Sequence, residues 1–300
     1  MIITKTDELS ATTIEEHGVM ILSLSTGCLF TLPFQRIFEL SAEAGFDGVE
    51  LIINQHFQRI DAVTLVRSLQ EITTIHSIHS PFMELDGWGG KIDSLKLSVK
   101  LAAECGIPVV NFHPPSWMGL EIGFWRWLYS IRDFQKEIGM DGNVIITLEN
   151  MPWTGKWKIN PNILSNTQRM VDFIGEHNLY MTFDCTHMGS GKTNFITDFF
   201  LCYDSGRIRN IHFSDYGHGR EHLLPGHGIL PLTRFLNHLR NTEYQSTVTL
   251  ELDPNEFPKG EYNILESLKE IVSFLRTETS PQDDSPRKYT QETIQASQTI

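Results

Sequence analysis

The feature that most constrains this chain is a regular alternation of two apolar patterns. Short, β-branched apolar runs begin near Val19, Gly48, Ile75, Ile107, Asn143, Leu179, Ile208 and Thr247. Each is followed by a polar or Gly/Pro loop and then by apolar residues at helical spacing. Phe34, Ile37, Phe38 and Leu40 form such a stripe after the first run, and Leu95, Leu97, Leu101 and Ala102 after the third. Gly45, Gly106 and Gly139 fall where helices would need a C-terminal cap. Strand–helix units repeated in this way build a parallel sheet with its helices outside. Eight units in about 260 residues match the size of a (β/α)8 barrel, so the sequence predicts one α/β domain over residues 19–276. An open doubly wound sheet would usually carry a Gly-rich phosphate loop after its first strand. Here Ser25-Thr26-Gly27-Cys28 runs directly into Leu29-Phe30, which favours the barrel.

The ends of the chain read differently. Residues 1–18 are polar and without clear period, an N-terminal extension. Residues 277–300 are rich in Ser, Thr, Gln and Asp, a composition that does not offset the entropy of ordering, so they are expected to form a flexible polar tail. Asp and Glu number 37 against 24 Lys and Arg, a formal net charge of −13. That balance disfavours nucleic acid as a partner, because phosphate backbones reward clustered Lys and Arg. No apolar run approaches the length of a membrane span, and the N-terminus lacks a secretory apolar segment. Cys28, Cys105, Cys185 and Cys202 are far apart and form no C-x-x-C pair, so they read as free thiols in a reducing compartment. The expectation is a soluble cytoplasmic protein. Exposed helices on a barrel often pair, which leaves room for a homo-oligomer.

Function is written at the ends of the runs. The third to eighth close on His79, His113, Glu149, Asp184, His212 and Glu251 in turn. In a parallel barrel all strand C-termini open onto one mouth, where active sites are built. Ionisable groups crowded there repel or desolvate one another unless a cation organises them, and mixed imidazole and carboxylate donors suit a divalent ion such as Mn or Zn. Two residues before each lie Ser77, Asn111, Thr147, Thr182, Asn210 and Thr249, all small and polar. Between them lie Ile78, Phe112, Leu148, Phe183, Ile211 and Leu250, all apolar. Period-two geometry then aims the ionisable residues inward, with a hydrogen-bonding layer beneath and the apolar residues against the helices. By the same parity Cys185 and His76 belong to packing. Glu50, ending the second run, is either an acid supporting the ligands or a surface or structural one. Trp88, Trp117, Trp153 and Trp157 stand in the loops after the third to fifth runs, where they could stack on a sugar or pack a lid.

These residues resemble the xylose isomerase-like TIM-barrel superfamily, which groups sugar and sugar-phosphate isomerases and epimerases with endonuclease IV. The carriers are Gly45-Phe46-Asp47-Gly48-Val49-Glu50, His79-Ser80-Pro81, His113-Pro114, Leu148-Glu149-Asn150, Asp184-x-x-His187, His212-x-x-Asp215, Leu224-Pro225-Gly226-His227-Gly228 and Leu250-Glu251. In members that act on sugars, the resemblance implies one divalent ion (Mn, Zn or Co) held by Glu149, Asp184, His212 and Glu251. The two glutamates would move the substrate proton as base and acid, and His187 would contact substrate. The endonuclease IV pattern implies further ligands at His79, His113, His187 and His222, hence a second ion, and an aspartate two residues before His222. That position is Arg220, which cannot ligate a metal and would instead suit a substrate hydroxyl, carboxylate or phosphate.

The expectation is therefore a metal-dependent isomerase or epimerase acting on a carbohydrate or phosphorylated relative. Its catalytic pair would be Glu149 and Glu251, with His187 and Arg220 placing the substrate. A dehydratase begins with the same proton abstraction at the same site. A metal-dependent phosphodiesterase on a small phosphodiester accounts better for His79, His113 and His222. A non-catalytic metabolite-binding barrel is the remaining alternative.

Overall fold

A computed structural model describes residues 20–191 and 193–280. The polar N-terminal extension and residues 281–300 lie outside that range. Eight parallel strands close into a barrel: β1 (Ile21–Ser25), β2 (Gly48–Ile52), β3 (Ile75–His79), β4 (Val109–Phe112), β5 (Ile145–Glu149), β6 (Tyr180–Asp184), β7 (Ile208–Phe213) and β10 (Thr247–Leu250). The order around the wall is β1-β10-β7-β6-β5-β4-β3-β2, and β1 pairs with both β10 and β2. The seven runs of sequence after the first therefore fall in place as neighbours, as the alternation predicts. Helices α1 (Phe34–Ala44), α2 (Ala62–Gln70), α3 (Lys91–Cys105), α4 (Ile122–Ser130), α5 (Phe134–Glu137) and α6 (Thr167–Glu176) form much of the outer ring. α7 (Cys185–Gly189), α8 (Phe195–Tyr203), α9 (Leu232–Asn241) and α10 (Glu261–Thr279) complete it. No helix of the described residues is long and apolar enough to cross a membrane.

The parity argument holds around the wall. Ile78, Leu148, Phe183, Ile211 and Leu250 are fully buried among the helices, while Ser77, Asn111, Thr147, Thr182, Asn210 and Thr249 are buried inside the barrel. The helices stop where the chain can turn. Gly45 and Gly106 adopt the left-handed conformation that a C-cap requires, with φ of 90° and 70°. Gly139 does not: the left-handed residues after α5 are Met140, Asp141 and Gly142. Its lack of a side chain matters for another reason, since a Cβ there would lie 2.4 Å from the Val144 carbonyl oxygen.

Two further differences concern boundaries. α10 runs to Thr279, so residues 277–279 are helical and not tail; the Thr277 and Thr279 hydroxyls donate to the carbonyls of Ser273 and Leu275, four residues back. Polar composition misleads here because these hydroxyls are satisfied within the helix. The loop after β7 also holds a hairpin, β8 (Asp215–Gly217) and β9 (Arg220–Leu223), that the strand count does not anticipate. His218 and Gly219 form its two-residue turn, both at positive φ, the geometry that tight hairpins favour.

Candidate metal centre

The six strand-end residues meet at one mouth of the barrel. Glu149, Asp184, His212 and Glu251 offer four ligand atoms that all lie within 4.8 Å of one another. His212 is the hub: its Nδ1 is 2.7 Å from Glu251 Oε2 and 3.6 Å from both Glu149 Oε1 and Asp184 Oδ2. Burial alone would raise the Glu149 and Glu251 carboxyls, but the neighbouring imidazoles dominate and hold both below the ordinary carboxylate range. His212 is driven the opposite way: burial lowers it, and Glu50, Glu251 and Glu149 together raise it well above an ordinary imidazole.

Backbone geometry accounts for the aim of each donor. Glu149 and Asp184 are the last residues of β5 and β6, and His212 lies opposite Asp184 in register. Asp184 also caps α7, its Oδ1 accepting the His187 N–H at 2.6 Å, so one carboxylate starts the helix and faces the site. Asn150 ties the two strands together: its side chain donates to the Asp184 carbonyl and accepts the Asp184 N–H, both at 2.9 Å. Its own carbonyl accepts His187 Nδ1 at 2.9 Å.

Below the donors lies the polar layer. Asn111 Nδ2 donates to Glu149 Oε2 at 2.5 Å, Thr147 and Thr182 continue the chain of hydrogen bonds, and Thr249 donates to Asn210. Glu50 completes it. Fully buried in β2, it accepts Ser77 Oγ at 2.7 Å and Asn210 Nδ2 at 2.8 Å on Oε2. Its Oε1 is 3.0 Å from His212 Nε2. Glu50 is thus the acid beneath the hub, an alternative that parity within β2 left open. A carboxylate at Nε2 favours the tautomer that frees Nδ1 as a donor atom.

Two satellite groups share ligands with the first. His79 and His113 bring their Nε2 atoms 3.1 Å apart, and both face Glu149 Oε2, at 3.3 and 3.5 Å. His79 Nδ1 is satisfied by the Ser80 carbonyl, and Phe82 stacks on His113. On the other side Asp184, His187 and His222 form a third group. His222 is carried there by β9. Arg220 is not: its guanidinium is mostly exposed and bound to Glu256 at 2.5 Å. His222 stands at positive φ, φ 56°, which breaks the strand's alternation, so Arg220 two residues earlier does not share its face. Glu221 is half-buried near His187 and His222; burial raises its carboxyl and the imidazoles oppose the rise. Of the loop tryptophans Trp88 packs inside, donating to the Phe57 carbonyl, while Trp117 and Trp157 are exposed.

The donor set fits a divalent cation on the evidence of its own polar atoms. Asp184 Oδ2 and His212 Nδ1, both in the central donor group, are buried and face only other ligand atoms without a well-formed hydrogen bond. Buried polar atoms are seldom left so.

Comparisons with known proteins agree with the architecture. An uncharacterized protein of Mycobacterium leprae (strain TN) is 25% identical over 284 residues, covering 86% of this chain and 98% of its own. Among solved structures, a D-tagatose 3-epimerase-like protein superposes with a TM-score of 0.62 at 20% identity, over 87% of this chain and 98% of its own. An AP endonuclease, family 2, from Brucella melitensis gives 0.65 at 15% identity, over 85% and 99%. Identities this low show a shared fold. The profile of the family described as xylose isomerase-like TIM barrel matches residues 38–277, most of the described barrel, and the chain belongs to that family.

Proposed function

We propose that the protein is a divalent-metal-dependent isomerase or epimerase of sugars. The observation that supports this best is the central donor group itself. Glu149 and Glu251 reach His212 from β5 and from just past β10, with β6 and β7 between them on the wall. Glu149, Asp184, His212 and Glu251 would hold the ion. Bound there, it would supply positive charge that polarises neighbouring carbonyl and hydroxyl oxygens of a substrate.

The chain's own residues account for the rest. Both glutamates are held ionised, so each is ready to take a proton from the carbon between those oxygens. Glu251, at the rim, is partly open to solvent, whereas Glu149 is sealed by Asn111. Inversion needs one glutamate to take the proton while the other, first protonated from solvent, delivers one to the opposite face, and Glu251, partly open to solvent, can exchange its proton. A proton returned instead to the neighbouring carbon isomerises the sugar. His187, fixed by Asn150, borders the same space and would orient a substrate oxygen. Three basic side chains near the mouth already have partners: Lys91 the Phe82 carbonyl, Lys158 the Gly191 carbonyl and Arg220 Glu256. Unphosphorylated sugars are therefore the first substrates to try.

A second reading draws on His79, His113 and Glu149. A second ion held by this trio would suit a hydrolase of small phosphodiesters, with Glu149 shared between the ions. Elemental analysis of protein purified without chelator separates the two. The isomerase predicts one equivalent of Mn, Co or Zn, lost in Glu149→Gln and Glu251→Gln. It also predicts solvent deuterium incorporated into a ketose from a sugar panel. Two equivalents, one of them lost together with diesterase turnover in the His79→Ala/His113→Ala double variant, would favour the hydrolase. No metal after reconstitution would remove both readings.

A further inference from the structure

Beside the metal centre, and sharing His187 and Asn150 with it, lies a cavity of about 330 Å³ between the loop after β5 and the start of α8. That volume falls in the lower part of the range of small-molecule sites, roughly 300–1,000 Å³. Its wall is of two kinds. Met151, Trp153, Met170 and Met188 give it an apolar side. Asp198, a carboxylate 8% exposed on the first turn of α8, lines it too. Thr193 Oγ1 donates to its Oδ2, and no cation among the described residues pairs with it. A carboxylate this buried calls for hydrogen-bond donors, of which Thr193 supplies one.

We propose that this cavity is a second sugar subsite, so that the substrate is a glycoside or disaccharide whose reacting unit sits at the metal centre and whose second ring enters here. This rests on the sugar reading above. A pyranose ring presents what this mixed lining calls for. Its C–H face suits the indole and thioether surface, and its hydroxyls donate to Asp198. A monosaccharide at the metal centre would leave the cavity, and the Asp198 lone pairs that Thr193 does not fill, to water. His187 belongs to both places: it lines the cavity and stands among the donors at the mouth, its Nδ1 fixed to the Asn150 carbonyl.

The test compares two ketoses on the metal-loaded protein by calorimetry: D-fructose, and maltulose, which is fructose carrying a second ring. We expect maltulose to bind at least tenfold more tightly than D-fructose. Asp198→Asn should cut that ratio to about two or three, and Ser165→Trp, which fills the cavity from its rim, should bring it to one or below. Circular dichroism melts confirm that each variant is folded; should Asp198→Asn fail to fold, the Ser165→Trp ratio decides alone. A wild-type ratio near one, with D-fructose bound, would overturn the subsite and leave the sugar reading standing. So would a ratio that both variants preserve. Binding of neither sugar would overturn the subsite together with the reading on which it rests.

Discussion

Glu50 shows how much one buried carboxylate controls. Its Oε2 is committed to Ser77 and Asn210, which leaves Oε1 facing His212 Nε2 at 3.0 Å. In Glu50→Gln the two donors would hold the amide oxygen in the Oε2 position and turn the NH₂ toward His212. Nε2 would then become an acceptor, the proton would move to Nδ1, and the hub would lose its lone pair. The expected result is a folded protein whose metal affinity is about 10- to 100-fold weaker, as found when partners behind ligating histidines are removed. Competition against a fluorescent chelator measures it; unchanged affinity would show that the tautomer is set elsewhere. Cys185 marks the contrast. It neighbours Asp184 but points out of the barrel, and burial raises its thiol well above the ordinary value, so it is expected to resist alkylation in the folded protein.

At the scale of the element, the loop from β7 to α9 depends on Asp215. One buried carboxylate accepts four backbone N–H groups: Tyr216 and Leu230 on Oδ1, Gly226 and Gly228 on Oδ2, at 2.8 to 3.0 Å. The loop so gathered carries the hairpin and with it His222. Asp215→Ala would leave these donors without a partner in a buried place and should cost on the order of 3 kcal/mol. The loop should open to limited proteolysis between residues 216 and 230 before the barrel melts. Gly228 belongs to the same knot, since a Cβ there would lie 2.3 Å from Asp215 Oδ1. Gly228→Ala should therefore behave like Asp215→Ala in the protease assay, while Gly219→Ala, with open space around it, should show only the smaller cost of its positive φ.

At the scale of the whole molecule, the barrel gathers more negative charge at its mouth than it can hold comfortably. Glu50, Glu149, Asp184 and Glu251 converge on one histidine. A ligand that binds only the folded state stabilises it by mass action. A divalent ion present at a hundred times its dissociation constant contributes about 2.7 kcal/mol, which for a chain of this size raises Tm by roughly 4–5 °C. Treatment with EDTA should lower Tm by that amount, and Mn, Co or Zn should restore it while Mg restores less. A Tm indifferent to chelation would argue against a bound ion.

The sequence by itself determined the barrel and most of its mouth. Eight alternations admit few folds, and period two in the strands is a local property, so Glu149, Asp184 and His212 could be placed inward before any contact was known. His79, His113 and Glu251 followed from the same rule. The rule stops where the strands stop. Arg220 lies on a short hairpin held by the Asp215 knot, and its ion pair with Glu256, a partner 36 residues away, is one that no local pattern announces. Glu50 has inward parity but sits in mid-strand, and only barrel closure, which brings β2 across from β7, shows that it meets His212. The cavity beside His187 joins residues from three separate stretches of chain. Local periodicity carries no information about such a space, because it exists only once the loop after β5 packs against α8.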